Sequence, residues 1–281
     1  MSAQDNSKKL PGNLIMSRRG PVALLRLSRA GKRNALDAEM IAGIETFFRN
    51  LSEGTRAVVL HGDGRHFCAG ADLAAFPHST AAAVMHLSRA WHCAFEQVEH
   101  GKVPVVAVLH GAVIGGGLEL AAAAHIRVAE RNAYYALPES TRGIFVGGGG
   151  SVRIPRLIGA ARMMDMMLTG RTYGAEEGAP LGFSQYVVAD GEGLAKGIEL
   201  AERIAANAVL SNVAIVQALP RIARADQETG LMMESLMLAV AASGDEAKTR
   251  VHAFLEKRTP KIAHGLDGTA KPATPAERAR E

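Results

Sequence analysis

The segment GAVIGGGLEL, residues 111–120, places one carboxylate beside four glycines. Glu119 is the only side chain between Lys102 and Arg127 that is charged at neutral pH, and Glu139 follows in a second apolar segment, ALPES. Burial raises the pKa of a carboxyl, whereas the N-terminus of a helix favours its ionised form. Two carboxyls in different surroundings can act as general acid and general base. For either glutamate, capping or another structural role is the alternative.

Two glycine-rich turns each follow a predicted buried strand, in the segments VVLHGDGRHFCAGADL (58–73) and VVAVLHGAVIGGGLEL (105–120). Ligand sites in open parallel sheets gather beyond the carboxyl ends of the strands, and glycine lets the backbone approach a ligand closely. The amides of Ala71 and Gly116 could therefore donate to one oxygen, as in an oxyanion hole. Tight packing of helix against strand is the alternative use of these glycines.

Other catalytic templates are missing from the sequence. Gly115–Gly117 does not complete G-x-G-x-x-G, and the segment GGGGS at 147–151 lacks the lysine of a P-loop. The chain contains no H-E-x-x-H, and Ser151 does not stand in G-x-S-x-G. These absences argue against a nucleotide hydrolase, a zinc protease and a serine hydrolase.

Composition limits the class of protein further. The chain has 281 residues, 48% of them hydrophobic, a formal net charge of +4 and a pI of about 9.2. Clustered basic residues at 18–33 and 257–261 favour an anionic partner, with a solvated basic surface as the alternative. The longest apolar stretch, 103–126, is interrupted by Pro104, glycines and Glu119, which argues against a membrane span. The first residues show no secretory or transit pattern, so we expect residence in the cytoplasm.

Strands and helices are predicted to alternate around these turns. The hydrophobic patterns predict a hairpin at 14–27, a helix capped by Asp37, a strand at 57–62, a helix from Ser79 or Thr80 to about 101, a strand at 103–111, a helix at 119–124 and a strand at 126–130. Continuous apolar strands separated by helices indicate an α/β fold with a mostly parallel sheet covered on both faces.

The pattern after residue 150 is almost wholly helical as far as Arg258. We therefore predict a core domain over residues 12–200 and a helical region over 201–262. Residues 1–11 and 263–281 are rich in polar residues and are predicted to be flexible tails.

Six segments together resemble one family. The sequence contains RNAL (33–36), HFCAGADL (66–73), HGAVIGGGLELAAAAHIRVA (110–129), LPES (137–140), LIGAARMMDMMLTGR (157–171) and FLEKRTP (254–260). In this order they resemble the crotonase, or enoyl-CoA hydratase/isomerase, superfamily over residues 12–262. The resemblance implies a spiral of ββα units with a C-terminal helical trimerisation region, a homotrimer or dimer of trimers, and an acyl-CoA substrate with no separate cofactor or metal.

The resemblance also implies roles for individual residues. Ala71 and Gly116 would hold the thioester oxygen, and Glu119 and Glu139 occupy the two acidic positions of hydratases. Because relatives with other activities change one or both acids, the pair favours a lyase that adds water syn across the 2,3 double bond of a trans-2-enoyl-CoA. A short or thio-substituted acryloyl-CoA is one such substrate.

Coenzyme A contacts are implied as well. Relatives place adenine near the segment AGADL, which makes Ala69, Asp72 and Leu73 lining candidates, and the candidate phosphate partners are Arg29, Lys32 and, from a neighbouring subunit, Lys257. Two positions depart from the family pattern: Ala74 replaces a basic residue, and Val146 replaces a proline.

Three alternatives to hydration stay open. An enoyl-CoA isomerase or an acyl-CoA hydrolase would use the same oxyanion hole with different proton transfers. An RNA-binding protein is the alternative of another class, since some crotonase-fold proteins bind RNA and this chain is basic. With only 5% aromatic residues the chain offers few surfaces on which bases could stack, so no nucleic acid is expected as its main partner.

Overall fold

The computed structural model describes residues 10–74 and 79–258. Its strands are β1 Leu14–Arg19, β2 Val22–Leu27, β3 Ala57–Gly62, β4 Val105–Leu109, β5 Ala112–Ile114, β6 Ile126–Glu130, β7 Tyr134–Ala136, β8 Tyr173–Gly174 and β9 Tyr186–Val188. Its α-helices are α1 Ala38–Arg49, α2 Ala81–Glu99, α3 Gly116–Ala123, α4 Gly150–Ile158, α5 Ala160–Thr169, α6 Ala175–Gly178, α7 Gly193–Ala205, α8 Val209–Ile222, α9 Gln227–Ser243 and α10 Asp245–Leu255.

A six-stranded sheet forms the centre of the fold, in the order β1-β2-β3-β4-β6-β9. Strands β1 and β2 form the predicted antiparallel hairpin, and every other neighbouring pair is parallel. The two predicted helix starts are also confirmed, because the side chains of Asp37 and Thr80 accept hydrogen bonds from the first turns of α1 and α2.

Both faces of this sheet are covered, as the apolar strands predict. Val58 and Leu60 of β3 belong to the larger core, which α1, α2 and α3 complete. Their neighbour Val59 points to the opposite face, where it packs with Leu200 and Ala201 of α7. This alternation follows from the period of two in a strand. The α/β class with a mostly parallel sheet is therefore confirmed.

A small second sheet, in the order β5-β7-β8, lies beside the carboxyl end of β4. Strand β5 pairs in parallel with β7, and an isolated parallel bridge joins Cys68 to Val113 of β5. A second bridge joins Leu36 to Ala71. Together these pairings place the loop after β3 beside the turn after β5, although the two are more than forty residues apart in sequence.

The chain after residue 150 contains more strand than the prediction of an almost wholly helical segment allows. Strands β8 and β9 interrupt the helices, and β9 extends the large sheet by pairing with β6. Runs as short as these are overridden by the helical periodicity of their flanks, which explains why the sequence pattern missed them. Residue 200, the predicted boundary, lies inside α7, so the division into two regions stays a prediction.

Helices α8 to α10 follow α7 and pack against one another. Within the described residues they expose large apolar side chains, among them Ile215, Leu219, Leu231, Leu236, Leu238 and Phe254. The predicted tails fall largely outside the described residues. No helix of the described ranges has the length and hydropathy needed to cross a bilayer.

Candidate active site

A cavity of about 810 Å³ opens beyond the carboxyl ends of β3 and β5. All four residues predicted for catalysis line it, namely Ala71, Gly116, Glu119 and Glu139. The fold thus brings together two loops and two carboxylates from separate parts of the chain. This position agrees with the expectation that ligands bind beyond the carboxyl ends of parallel strands.

The amides of Ala71 and Gly116 are neighbours in this cavity. Ala71 forms a bridge with Leu36 in which Leu36 N–H donates to the Gly70 carbonyl and Asp72 N–H donates to the Leu36 carbonyl. The N–H of Ala71 itself therefore points away from Leu36. Gly116 is the first residue of α3, so its N–H has no acceptor within the helix. Neither N–H has an acceptor in residues 10–74 and 79–258. The pair can therefore donate to an oxygen of a ligand.

Glycine is required in both of the loops that carry these two amides. Gly70 and Gly115 have positive φ angles of 97° and 52°, which other residues rarely adopt. A Cβ on Gly116 would lie 2.4 Å from the ring of Trp91 and 3.4 Å from the Ala71 nitrogen. Close approach of the two loops and of the indole thus depends on the missing side chain.

Glu119 lies in the first turn of α3, and its side chain is buried. Its Oε1 accepts hydrogen bonds from the amides of Gly148, at 2.8 Å, and Gly150, at 2.7 Å. A Cβ on Gly150 would stand 2.7 Å from Glu119 Cγ, so this contact also requires glycine. The run of four glycines, Gly147–Gly150, therefore has a specific use: we call it the glycine loop, and it holds the Glu119 carboxylate.

Opposing effects act on the ionisation of Glu119. Burial raises the pKa of this carboxyl above its ordinary value, and the amides of Gly150 and Gly148 together with the positive charge of Arg153 offset part of that rise. These hydrogen bonds orient one oxygen and stabilise the ionised form. The two amides thus fix the orientation of the Glu119 carboxyl.

Glu139 reaches the same cavity from the segment after β7. Because β5 and β7 are parallel neighbours, their carboxyl ends meet, and a Cβ on Gly115 would lie 2.6 Å from Glu139 Oε1. The other oxygen, Oε2, is buried and has no hydrogen-bond partner among the described residues. Burial raises the pKa of Glu139 to about 7, and the negative charge of Glu119 contributes to the rise.

The arrangement provides two amide donors, a carboxyl group held by amides and a second carboxyl whose pKa is raised to about 7. It can polarise a carbonyl oxygen and move protons on either side of a bond next to that carbonyl.

Comparison with known proteins identifies the family. Residues 17–264 match the model of the enoyl-CoA hydratase/isomerase family. The chain belongs to this family. A Bacillus subtilis protein named as a probable enoyl-CoA hydratase is 33% identical over 211 residues, covering 74% of this chain and 82% of that protein.

Solved structures of this family share the fold. A Rhodopseudomonas palustris structure is 54% identical with a TM-score of 0.85, covering 89% of this chain and 97% of that one. The enoyl-CoA hydratase of Bacillus anthracis is 32% identical with a TM-score of 0.83, covering 88% and 98%. The predicted crotonase-like architecture is therefore confirmed.

Of the residues predicted to contact coenzyme A, four line the cavity: Ala69, Asp72, Leu73 and Lys32. Arg29 does not line it. Its guanidinium donates to Asp72 at 2.8 Å and to the Ala35 carbonyl at 3.0 Å. Lys257 ends up beyond α10 and is exposed, away from the cavity of its own chain. Contact of these residues with coenzyme A stays a prediction.

Sequence reasoning missed several residues of this site. Trp91, the only tryptophan of the chain, forms a wall of the cavity beside Gly116, and Arg142 lines the cavity near Glu139. Only the tertiary structure shows that Trp91 of α2 lies beside the amides of Gly116 and Ala71. The four glycines of the glycine loop are visible in the sequence, but their partner Glu119 lies about thirty residues earlier and no local pattern connects the two.

Proposed function

We propose that this chain adds water reversibly and syn across the 2,3 double bond of a trans-2-enoyl-CoA thioester. The observation that carries the proposal is the convergence of two free amides and two carboxyls on one cavity. A hydratase needs both acids, whereas an oxyanion hole alone would serve other reactions of thioesters.

The amides of Ala71 and Gly116 would receive the thioester oxygen. The two hydrogen bonds to this oxygen make C3 of the substrate more electrophilic. They also stabilise the enolate that forms when water attacks C3. One such donor contributes about 2.7 to 4 kcal/mol to the transition state. The donors are held by the two loops before the substrate arrives, so little reorganisation is needed during reaction.

Glu119 and Glu139 would divide the proton transfers between them. A water between the carboxyls gives a proton to ionised Glu119 while its oxygen bonds to C3, and protonated Glu139 gives its proton to C2. The raised pKa of Glu139, about 7 because of burial, supports its role as the acid. Loss of the proton from Glu119 and uptake of a proton by Glu139 then restore the starting state of the pair.

The rest of the cavity suits an acyl-CoA. Apolar side chains, including Val84, Leu87, Trp91, Ile144 and Phe145, offer a surface for an acyl chain, and Lys32 offers a positive charge for a phosphate. Exposed apolar side chains on α8 to α10 support assembly as a homotrimer or dimer of trimers. Residence in the cytoplasm stays a prediction from the sequence.

The test is product analysis by mass after incubation with crotonyl-CoA. Hydration adds one water to the intact thioester, hydrolysis releases free coenzyme A, and a 3-enoyl-CoA substrate reveals isomerisation. The Glu119→Gln and Glu139→Gln variants are compared with Glu53→Gln, an exposed glutamate outside the cavity. Hydration by wild type and Glu53→Gln with loss in both active-site variants supports the proposal, and full activity in either active-site variant refutes it.

A further inference from the structure

Arg153 of α4 contacts the far side of the glycine loop, outside the cavity. We propose that Arg153 is a positioning residue for Glu119, acting through the glycine loop, and that Glu99 of α2 holds Arg153 in place. The inference rests on the proposed function of Glu119 but concerns residues that do not touch the substrate.

Hydrogen bonds connect Arg153 to Glu119 through one residue. The guanidinium donates from Nη1 to the Gly148 carbonyl at 3.0 Å, and the Gly148 amide donates to Glu119 Oε1 at 2.8 Å. A Cβ on Gly149, whose φ is +92°, would lie 2.3 Å from Arg153 Nη1. The guanidinium therefore packs directly against the loop and limits the positions that its amides can take.

Arg153 is itself fixed by a partly buried ion pair. Its Nε donates to Glu99 Oε2 at 2.6 Å, and the side chains are only 11% and 15% exposed. The other oxygen of Glu99 accepts from Arg224, just after α8, at 2.7 Å. Burial opposes ionisation of Glu99, but the two guanidiniums outweigh it and lower the pKa of this carboxyl. Such a charge-assisted pair holds the planar guanidinium in one orientation.

Arg153 also acts on Glu119 electrostatically. The charged groups around Glu119 are Glu139 across the cavity and Arg153 from α4, with Glu99 of α2 behind Arg153. The remaining arginine of α4, Arg156, is exposed and bonded to none of them. Arg153 therefore favours the ionised form of Glu119, and Glu99 partly cancels that charge.

Two substitutions are expected to move the acidic limb of the pH profile in opposite directions. Arg153→Gln removes the cation, which raises the pKa of Glu119 and moves the limb of kcat/KM to higher pH. Glu99→Gln keeps a side-chain oxygen that can accept from Arg153 but removes the negative charge, so Arg153 is less neutralised and the limb moves to lower pH. A loss of packing alone would not shift the acidic limb in opposite directions in the two variants.

The experiment measures kcat, KM and pH profiles of crotonyl-CoA hydration for both variants. We expect kcat of Arg153→Gln to fall about ten- to hundredfold with little change in KM, because a displaced base impairs proton transfer more than binding. Arg153→Lys keeps the charge and is expected to restore the wild-type limb. Arg156→Gln, on the same helix, is the matched control and is expected to behave as wild type.

Three results would overturn the inference: an unchanged kcat and limb in Arg153→Gln, a shift of the same sign in both variants, or an equal loss in Arg156→Gln. If Arg153→Gln does not fold, the inference is tested by Glu99→Gln, whose limb must move to lower pH, and by Arg153→Lys, whose limb must stay at the wild-type position; failure of either expectation overturns it.

A separate measurement keeps the two proposals apart. Unfolding free energies of wild type, Arg153→Gln, Glu119→Gln and the double variant give a coupling energy that requires no substrate. If the wild type is inactive but the coupling energy is not zero, the proposed function is refuted and the positioning role is not. Zero coupling refutes the positioning role whatever the activity.

Discussion

Glu139→Gln is expected to make the protein more stable above neutral pH while reducing its activity. Burial and the charge of Glu119 raise the pKa of Glu139 from an ordinary 4.5 to about 7 in the folded protein. The folded state therefore binds this proton more tightly than the unfolded chain. The stabilisation that this proton gives the folded state is fully present below pH 4.5 and is lost as the pH rises from 4.5 to about 7.

The magnitude follows from the size of this pKa difference. At about 1.4 kcal/mol per pH unit, ionising Glu139 costs the fold about 3 kcal/mol at pH 8. Glutamine avoids this cost, and the substitution breaks no hydrogen bond of Oε2, which has no partner among the described residues. At pH 5 most of the difference disappears, because the folded protein still holds the proton.

The assay is guanidinium chloride unfolding of wild type and Glu139→Gln at pH 5 and pH 8, with Glu53→Gln as the exposed control. We expect the variant to be more stable by about 3 kcal/mol at pH 8 and by less than about 1 kcal/mol at pH 5. Crotonyl-CoA hydration is expected to fall by about 10²- to 10⁴-fold. An equal difference in unfolding free energy at both pH values, or no increase in stability at pH 8, would show that burial does not raise the pKa of Glu139 as described.

Three further substitutions test the site. Glu119→Gln is expected to lower kcat about 10²- to 10⁴-fold with little change in calorimetric binding of butyryl-CoA; full turnover would contradict its role as base. Gly116→Ala places a methyl group against Trp91, so kcat is expected to fall about 10²-fold or more, and Trp91→Leu in that background is expected to recover stability to urea; no recovery would contradict the contact. Lys32→Ala is expected to raise KM by roughly tenfold or less and to weaken its dependence on salt while kcat holds; an unaltered KM would remove Lys32 from the substrate contacts.

Much of the fold is determined by local sequence patterns. Apolar runs such as 57–62 and 105–109 define buried strands, and Asp37 and Thr80 define helix starts, because burial and capping act over a few residues. The isolation of Glu119 and Glu139 in apolar segments is equally visible, and it predicts carboxyls of unusual ionisation. Helix α3 nevertheless begins at Gly116 rather than Glu119, since the packing of this turn outweighs the low helix propensity of glycine.

Contacts between distant segments were decided by the tertiary structure alone. No local pattern shows that the glycine loop holds Glu119, that Trp91 packs on Gly116, or that Arg29 is bound by Asp72 instead of facing the cavity. The sequence determined which residues can carry charge, turn sharply or be buried. Which of them meet was decided by parallel strand pairing, which brings the ends of strands far apart in the chain to one edge, where a shift of one residue would turn each side chain to the other face.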